Sequence, residues 1–328
     1  MSQSAIRQYL VGFPMVALAC LPGQVHAQAS DYPSRQVTII VPTGPGASTD
    51  VEARLYAQKL SERTGRSFVV DFKPGAGQTL GAAHVARSAP DGHTLLTITG
   101  SFTATPALMN LPYDTARDFA PIALMSNRST VILAHPSVSF KTVPEYVAYA
   151  RAHPGEVNVA TNGLGGSPHL NAAWFHNITG TKVTFVHYKA AAAAQTDLMA
   201  GRVQVTFTTL LSGLPHLRSG KLRALGIASS ERTSMLAGMP TAAEQGVPGY
   251  NYASWLGIVA PAATPAAIVD KLNAELIRIA RLPDVMAKLE ADGGSMVGSS
   301  PQELRQVILS EIARYRKIVV DNGIKLDE

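Results

Sequence analysis

A loop with the sequence Thr-Gly-Pro-Gly-Ala-Ser-Thr-Asp, over residues 43–50, contains residue types that can bind an anion. It follows the run Val37–Val41, which carries no charge and is typical of a strand buried on both faces. Gly44 and Gly46 allow a sharp turn and close approach of a ligand to the backbone. Ser48 and Asp50 are residue types that begin a helix, and free N–H groups at a helix start attract anions. The loop therefore predicts an anion site, although a strand-to-helix turn without a ligand explains this segment equally well.

A second loop, Thr-Asn-Gly-Leu-Gly-Gly-Ser-Pro-His over residues 161–169, repeats this arrangement farther along the chain. It follows a predicted strand and opens a predicted helix, with Ser167 as the N-cap and Pro168 at the first helical position. Ligands of open α/β sheets bind beyond the carboxyl ends of the strands. We therefore expect both loops to direct N–H groups into one cleft. His169 either contacts the ligand there or packs as a polar residue near the helix start.

The catalytic motifs that use such loops are incomplete in this chain. A dinucleotide fingerprint needs a third glycine where this sequence has Thr49, and a P-loop needs a lysine that the first loop lacks. A nucleophile elbow needs glycine at the position of His169, and the short spacing between Ser167 and His169 is poor evidence for a triad. No metal-binding motif is present. We therefore predict no catalytic residue, no metal and no cofactor.

The N-terminus has the pattern of a secretory signal peptide. Arg7 precedes an apolar run over residues 10–21 that is too short to span a membrane, and small residues then offer cleavage near Ala27 or Ala29. Cys20 follows Ala-Leu-Ala but lacks the leucine usual in a lipoprotein site, so we expect ordinary cleavage without a lipid anchor. The predicted signal peptide covers residues 1–29 and leaves a mature chain without cysteine. Disulfides, zinc-thiolate sites and cysteine nucleophiles are thereby excluded.

Composition and periodicity indicate an α/β protein. The formal net charge is +5, and the basic residues are scattered among acids without a basic run, which argues against a nucleic-acid partner. Strand-like and helix-like segments alternate, which predicts largely parallel sheets in one or two domains. Besides the first strand and the helix after it, the predicted strands are residues 68–72, 94–99, 131–134, 157–161, 183–188, 203–208, 223–228 and 256–259. The other predicted helices are residues 79–88, 143–153, 168–178, 190–200, 265–281, 284–292 and 301–322.

Short motifs along the whole mature sequence carry a family resemblance. They include Tyr32-Pro33, Pro74-Gly-Ala-Gly77, Ala89-Pro-Asp-Gly92, Leu111-Pro-Tyr-Asp114, Asp118-Phe-Ala-Pro121, His169-Leu170, Gly220-Lys-Leu-Arg-Ala-Leu225, Ser254-Trp255 and Ala260-Pro261. In their order and coverage they resemble the Bug family, the periplasmic solute receptors of tripartite tricarboxylate transport systems.

The resemblance implies an α/β, two-lobed, periplasmic-binding-protein-like fold of type II character, with the ligand cleft between the lobes. It implies one lobe from residues 31–129 and 253–328, another from residues 130–252, and a hinge near residues 127–130 and 250–254. The ligand would be a small organic carboxylate, held by neutral backbone and hydroxyl groups with bridging waters. The expected protein is a periplasmic monomer that delivers this ligand to membrane transporter subunits and is not an enzyme.

Several residues depart from the family pattern. Thr43 stands where an aromatic residue is usual, Ala47 replaces a glycine, and Thr208 replaces an aspartate after Phe207. The lost aspartate removes a partner for a ligand's amino group. We therefore expect a di- or tricarboxylate, or an aromatic carboxylate, rather than an amino acid.

The predicted ligand-binding residues are Thr43, Gly44, Gly46, Ala47, Ser48, Asp50, Ser101, Gly165, Gly166, Ser167, His169 and Thr208. Two alternatives remain open for the function. One is a sensor of the same fold that signals to a membrane kinase. The other is a secreted hydrolase that uses Ser167 and His169.

Overall fold

The computed structural model describes residues 31–45, 48–188, 191–291 and 293–324. The described residues from Pro33 onward form one compact unit, and Asp31 and Tyr32 belong to a separate unit. The predicted signal peptide and two predicted site residues, Gly46 and Ala47, lie outside the described residues.

Strands and helices alternate along most of the described chain. The strands are β1 (Val37–Val41), β2 (Phe68–Phe72), β3 (Thr94–Ile98), β4 (Phe119–Arg128), β5 (Thr130–Ala134), β6 (Asn158–Asn162), β7 (Thr184–Tyr188), β8 (Val205–Thr209), β9 (Arg223–Ile227), β10 (Ser254–Pro261) and β11 (Gly294–Met296). The helices are α1 (Ser48–Thr64), α2 (Thr79–Ala86), α3 (Gly100–Ala104), α4 (Val143–Ala152), α5 (Ser167–Thr179), α6 (Ala191–Met199), α7 (Leu210–Arg218), α8 (Ala266–Ala280), α9 (Pro283–Ala291) and α10 (Pro301–Asp321).

The strands form two mixed sheets. The first has six strands in the order β11-β4-β10-β3-β1-β2, and the second has five in the order β7-β6-β8-β5-β9. In the first sheet β1 is parallel to β2 and β3, whereas β10 is antiparallel to β3 and β4. In the second, β6 is parallel to β7 and β8, whereas β5 is antiparallel to β8 and β9. The predicted largely parallel sheets are therefore wrong, because the strands at the two chain crossings insert antiparallel to their neighbours.

The chain passes from the first sheet to the second within one residue. β4 ends at Arg128, β5 begins at Thr130, and Ser129 alone lies between them. The chain returns where β10 begins at Ser254, which pairs with Arg128. The two crossings are joined, because the Thr130 hydroxyl donates a hydrogen bond to the carbonyl of Tyr252. These positions fall within the two predicted hinge segments, and the predicted division into two lobes stays a prediction.

Apolar side chains on the faces of the strands pack against helices and form the buried cores. In β5, Ile132 and Ala134 pack with α4 and α5 in one buried cluster, and Val131 and Leu133 pack with α6 and α7 in another. In the first sheet, Ile40, Leu96 and Ile98 pack with residues of α2 and α10. α8 packs on β4 and on α1. Since each sheet is covered by helices, its strands read as apolar runs.

Four elements were missed by the sequence prediction: β4, β11, α3 and α7. β4 contains Pro121, which is usually confined to edge strands and bulges, and here a register shift in β10 lies opposite it. β4 also ends in buried polar residues, Ser126 and Arg128, which bind a carboxylate of α1. The other predicted elements match observed ones within a few residues. No helix within the described ranges is both long and apolar enough to cross a bilayer.

Candidate functional site

The predicted site residues lie at the carboxyl ends of strands in both sheets. In the first sheet, β1 ends at Val41 and leads to α1, and β3 ends at Ile98 and leads to α3. In the second, β6 leads to α5, and β8 leads to α7. The predicted site residues that lie in or beside these four strand-to-helix connections are Thr43, Gly44, Ser48, Asp50, Ser101, Gly165, Gly166, Ser167, His169 and Thr208.

The helix starts of the two sheets meet at Gly100 and Ser167. A Cβ atom on Gly100, the first residue of α3, would lie 2.8 Å from Oγ of Ser167 and 3.5 Å from the hydroxyl of Tyr315. Ser167 is the first residue of α5, and Tyr315 lies in α10. The absence of a side chain at Gly100 therefore allows elements of the two sheets to touch beside the candidate site.

The loop after β1 is braced by its own hydroxyl groups. The hydroxyls of Thr43 and Thr49 share a hydrogen bond, which ties the start of the loop to the first turn of α1. Oδ1 of Asp50 accepts a hydrogen bond of 2.7 Å from Nε of Arg54. A Cβ added to Gly44 would meet no atom within 4 Å, so this loop borders open space. The side chain of Ser48 lies outside the described part of the structure.

His169 holds the loop after β6. Its Nδ1 accepts the backbone N–H of Gly165 at 3.0 Å, so the ring is neutral and carries its proton on Nε2. Burial lowers the pKa of His169 to about 4, and the nearby ring of His187 makes a smaller contribution in the same direction. Its ring also makes edge contacts with Phe185 and His187, at centroid distances of 4.8 and 4.6 Å. The N–H of Gly165, predicted to face the ligand, is therefore already engaged within the loop.

The predicted start of α5 is displaced by one residue. Gly166 is the N-cap, with extended backbone angles, and Ser167 is the first helical residue. The prediction that Ser167 caps the helix and Pro168 occupies the first position is therefore wrong. The hydroxyl of Ser167 does not cap the helix and has its partners on α10 and within α5.

Ser167 belongs to a buried polar cluster that joins α5 to α10. Its Oγ lies 3.2 Å from the hydroxyl of Tyr315 and accepts a hydrogen bond of 3.2 Å from Nδ2 of Asn171. Nδ2 of Asn171 also donates to the Tyr315 hydroxyl at 2.9 Å. The sequence analysis did not identify Asn171 and Tyr315 as members of this cluster. A polar asparagine inside the predicted helix 168–178 was the one sequence feature that could have indicated Asn171. Ser167 and His169 have separate partners, so the geometry does not support a serine nucleophile activated by this histidine.

The site residues carry no basic side chain of their own. None of the described residues at 43–45, 48–50, 99–101 and 163–169 is lysine or arginine. The nearby Arg128 is committed elsewhere, because its guanidinium pairs with buried Glu52. No group of three or more histidine, cysteine, aspartate or glutamate side chains suited to a metal occurs in the described ranges. Backbone N–H and hydroxyl groups are therefore the donors that this site offers to an anion.

Comparisons with known proteins show similar sequences along nearly the whole chain. Residues 52–324 match the family described as the tripartite tricarboxylate transporter family receptor. Protein BugT of Bordetella pertussis is 34% identical over 301 residues, which cover 91% of this chain and 92% of BugT.

Two solved structures from Rhodopseudomonas palustris are similar over nearly their whole length. Rpa4515 with adipate is 36% identical, with a TM-score of 0.79 and coverage of 90% of this chain and 99% of that one. MatC (Rpa3494) with bound malate is 33% identical, with a TM-score of 0.75 and coverage of 88% and 100%. The predicted α/β fold class of periplasmic binding proteins is confirmed by these similarities.

Proposed function

This chain belongs to the tripartite tricarboxylate transporter receptor family, and from that premise we propose that it is a periplasmic receptor for a small dicarboxylate. It takes up its ligand between the two sheets and delivers it to membrane transporter subunits. It acts as a monomer, uses no cofactor and catalyses no reaction. The predicted signal peptide directs export and is removed by cleavage near Ala27 or Ala29.

The observation that carries this proposal is the contact between Gly100 and Ser167. It brings the first turn of α3 beside the first turn of α5, so helix N-termini from both sheets converge on one place. The N–H groups of a helix's first turn have no partner within the helix. In α3, Thr99 already accepts the N–H groups of Ser101 and Phe102, so Gly100 is the first-turn residue that offers its N–H there. Because Pro168 lacks an N–H and Gly165 donates to His169, the donors at the start of α5 are the N–H groups of Gly166, Ser167 and His169.

The chemistry of these donors favours a small carboxylate. N–H groups at helix starts stabilise negative charge without a paired cation, and ordered waters complete such sites at little cost. Rpa4515 was solved with adipate and MatC with malate, and both ligands carry two carboxylates. Thr208 on β8 replaces the aspartate of the family pattern, so this position has no charged partner for the amino group of an amino-acid ligand.

Closure of two lobes is part of the proposal. The lobes would be residues 31–129 with 253–328, and residues 130–252. The two short crossings at Ser129 and Ala253 would allow a hinge rotation, since few residues have to change their backbone angles. A ligand that binds both helix starts would then favour the closed arrangement.

The test is a ligand screen on the mature chain by thermal shift, followed by calorimetry. We expect adipate, malate or a related dicarboxylate to raise the melting temperature, since a ligand that binds only the native state stabilises it by about 2.7 kcal/mol at one hundred times its Kd. Amino acids of matched length should have a smaller effect. The proposal fails if saturating di-, tri- and aromatic carboxylates all leave the melting temperature unchanged while the protein is folded.

Delivery to a membrane partner needs its own measurement. Uptake of the identified labelled dicarboxylate by cells should require both this receptor and the membrane subunits. Normal uptake after deletion of the receptor would contradict the transport role without affecting the binding result.

A further inference from the structure

Gln78 adopts a left-handed backbone conformation, with φ 79° and ψ 1°. Among the described residues it is the only one besides glycine with a positive φ. A side chain in this region is disfavoured by contact of Cβ with the backbone, and such residues concentrate at ligand sites. A glycine would adopt this conformation without strain, so the glutamine side chain itself needs an explanation.

The segment around Gln78 lies between the first sheet's two site loops. The N–H of Lys73 donates to the carbonyl of Val41 at 3.0 Å, at the end of β1. Gly81, in the first turn of α2, is packed so closely that an added Cβ would lie 2.9 Å from Cβ of Pro42. Gln78 itself contacts Thr99, the residue that follows β3. Its side chain therefore stands at the same sheet edge as the candidate site.

The carboxamide of Gln78 is held in one orientation. Oγ1 of Thr99 accepts the N–H of Ser101 at 3.3 Å as the cap of α3, so its own proton is directed to Oε1 of Gln78 at 3.1 Å. This contact turns Nε2 away from Thr99. No hydrogen-bond partner for Nε2 is found in the part of the chain that the structure describes, and the residue is half-buried.

We propose that Gln78 contacts the ligand and determines specificity by donating hydrogen bonds from Nε2 to a carboxylate oxygen. The inference rests on the proposed receptor function. Because Oε1 is occupied by the Thr99 hydroxyl, the residue presents donors to the cleft. It therefore favours ligands with an acceptor at this position over ligands that present an ammonium group there.

The test uses two substitutions with adipate and malate as probes in calorimetry. Gln78→Gly removes the carboxamide and the backbone strain, so the variant should melt at or above the wild-type temperature while its affinity falls about tenfold or more. Gln78→Glu keeps the shape and the acceptor for Thr99 but sets a carboxylate against the ligand. Its affinity should fall further than that of Gln78→Gly.

Gln302→Glu is the charge-matched control, because Gln302 is exposed in the first turn of α10. It should bind the probe as the wild type does. If the wild type binds a probe and Gln78→Gly binds it equally well, the role of Gln78 is wrong and the receptor function stands. If the wild type binds no carboxylate, the receptor function fails, and the role of Gln78 fails with it.

Discussion

The hydroxyl of Ser167, in the first turn of α5, lies 3.2 Å from the hydroxyl of Tyr315 in α10. α5 packs with the second sheet, and α10 packs with the first. Burial raises the pKa of Tyr315, so its hydroxyl stays protonated and can take part in this contact at any physiological pH. A side chain expected to face the ligand therefore links the two halves of the molecule.

Ser167→Ala should lower stability more than ligand affinity. The substitution removes a buried hydroxyl that contacts Tyr315 and Asn171, and a lost buried hydrogen bond costs about 1–3 kcal/mol of unfolding free energy. Urea unfolding and calorimetry on the same variant separate the two effects. Tyr315→Phe should behave alike, whereas Tyr113→Phe, on a half-exposed ring, should be nearly neutral. Unchanged stability with a large loss of affinity would instead place the Ser167 hydroxyl on the ligand.

Gly100→Ala should destabilise the protein and weaken ligand binding. The new Cβ would lie 2.8 Å from Oγ of Ser167, which forces α3 and α5 apart, and overpacking of this kind costs about 1–3 kcal/mol. Gly44→Ala is the matched control for stability, since its added Cβ meets no atom within 4 Å. Adding Ser167→Ala to Gly100→Ala should recover part of the loss by removing the closest atom. A double variant no more stable than Gly100→Ala would argue against this contact as the cause.

Stability should fall as the pH decreases from about 6.5 to 4. Burial lowers the pKa of His176 to about 3, and burial with the nearby His187 lowers that of His169 to about 4. In this range the unfolded chain binds protons at these histidines and the native chain does not, so the free energy of unfolding decreases by about 1.4 kcal/mol per pH unit for each. Their contribution is fully present above about pH 6.5.

Urea unfolding at several pH values measures this slope. His176 bonds to the hydroxyls of Tyr146 and Thr181 at 3.1 and 2.7 Å, which glutamine could also reach. His176→Gln should therefore fold and show a slope about 1.4 kcal/mol per pH unit smaller than that of the wild type. Carboxylate titrations cancel in this difference. Equal slopes for both proteins would contradict the assignment.

Glu52→Gln should be among the most destabilising single changes in α1. Glu52 and Arg128 are 2% and 5% exposed, and the carboxylate also accepts from Ser126 at 2.6 Å and Tyr56 at 3.2 Å. Removing its charge leaves the buried Arg128 guanidinium without a counter-charge, which costs about 3–5 kcal/mol. Glu62→Gln, which breaks a partly exposed pair with Lys59 at 3.6 Å, should change stability by less than about 1 kcal/mol. Chemical denaturation of both variants measures the contrast, and similar losses would contradict it.

Ligand binding should compact the protein if the two lobes close. Small-angle scattering with saturating adipate or malate, whichever binds, should give a smaller radius of gyration than the ligand-free protein. The physical reason is that each loop alone supplies few donors, so a bound ligand favours the arrangement in which both loops reach it. An unchanged radius at saturation would count against closure, and calorimetry on the same sample would show whether the ligand had bound.

The local features of this protein could be predicted from sequence because they depend on neighbouring residues. The β-branched run of β1 and the helical spacing of α8 and α10 identify strand and helices without knowledge of partners. The capping box formed by Ser300 and Glu303 marks the start of α10 in the same way. The two glycine-containing loops were located at strand ends for this reason, and the structure places their described residues there.

Contacts between distant segments were decided only by the tertiary structure. β10 enters the first sheet antiparallel between β3 and β4, and no local pattern in its sequence encodes that direction. The hydroxyl of Ser167 could equally have capped α5 or faced a ligand, and Tyr315, 148 residues away, takes it instead. From the sequence Gln78 is an ordinary turn residue, and only the structure shows that Thr99 orients its amide. A hydrogen-bonding group has several possible partners in the sequence, and packing alone brings one of them within reach.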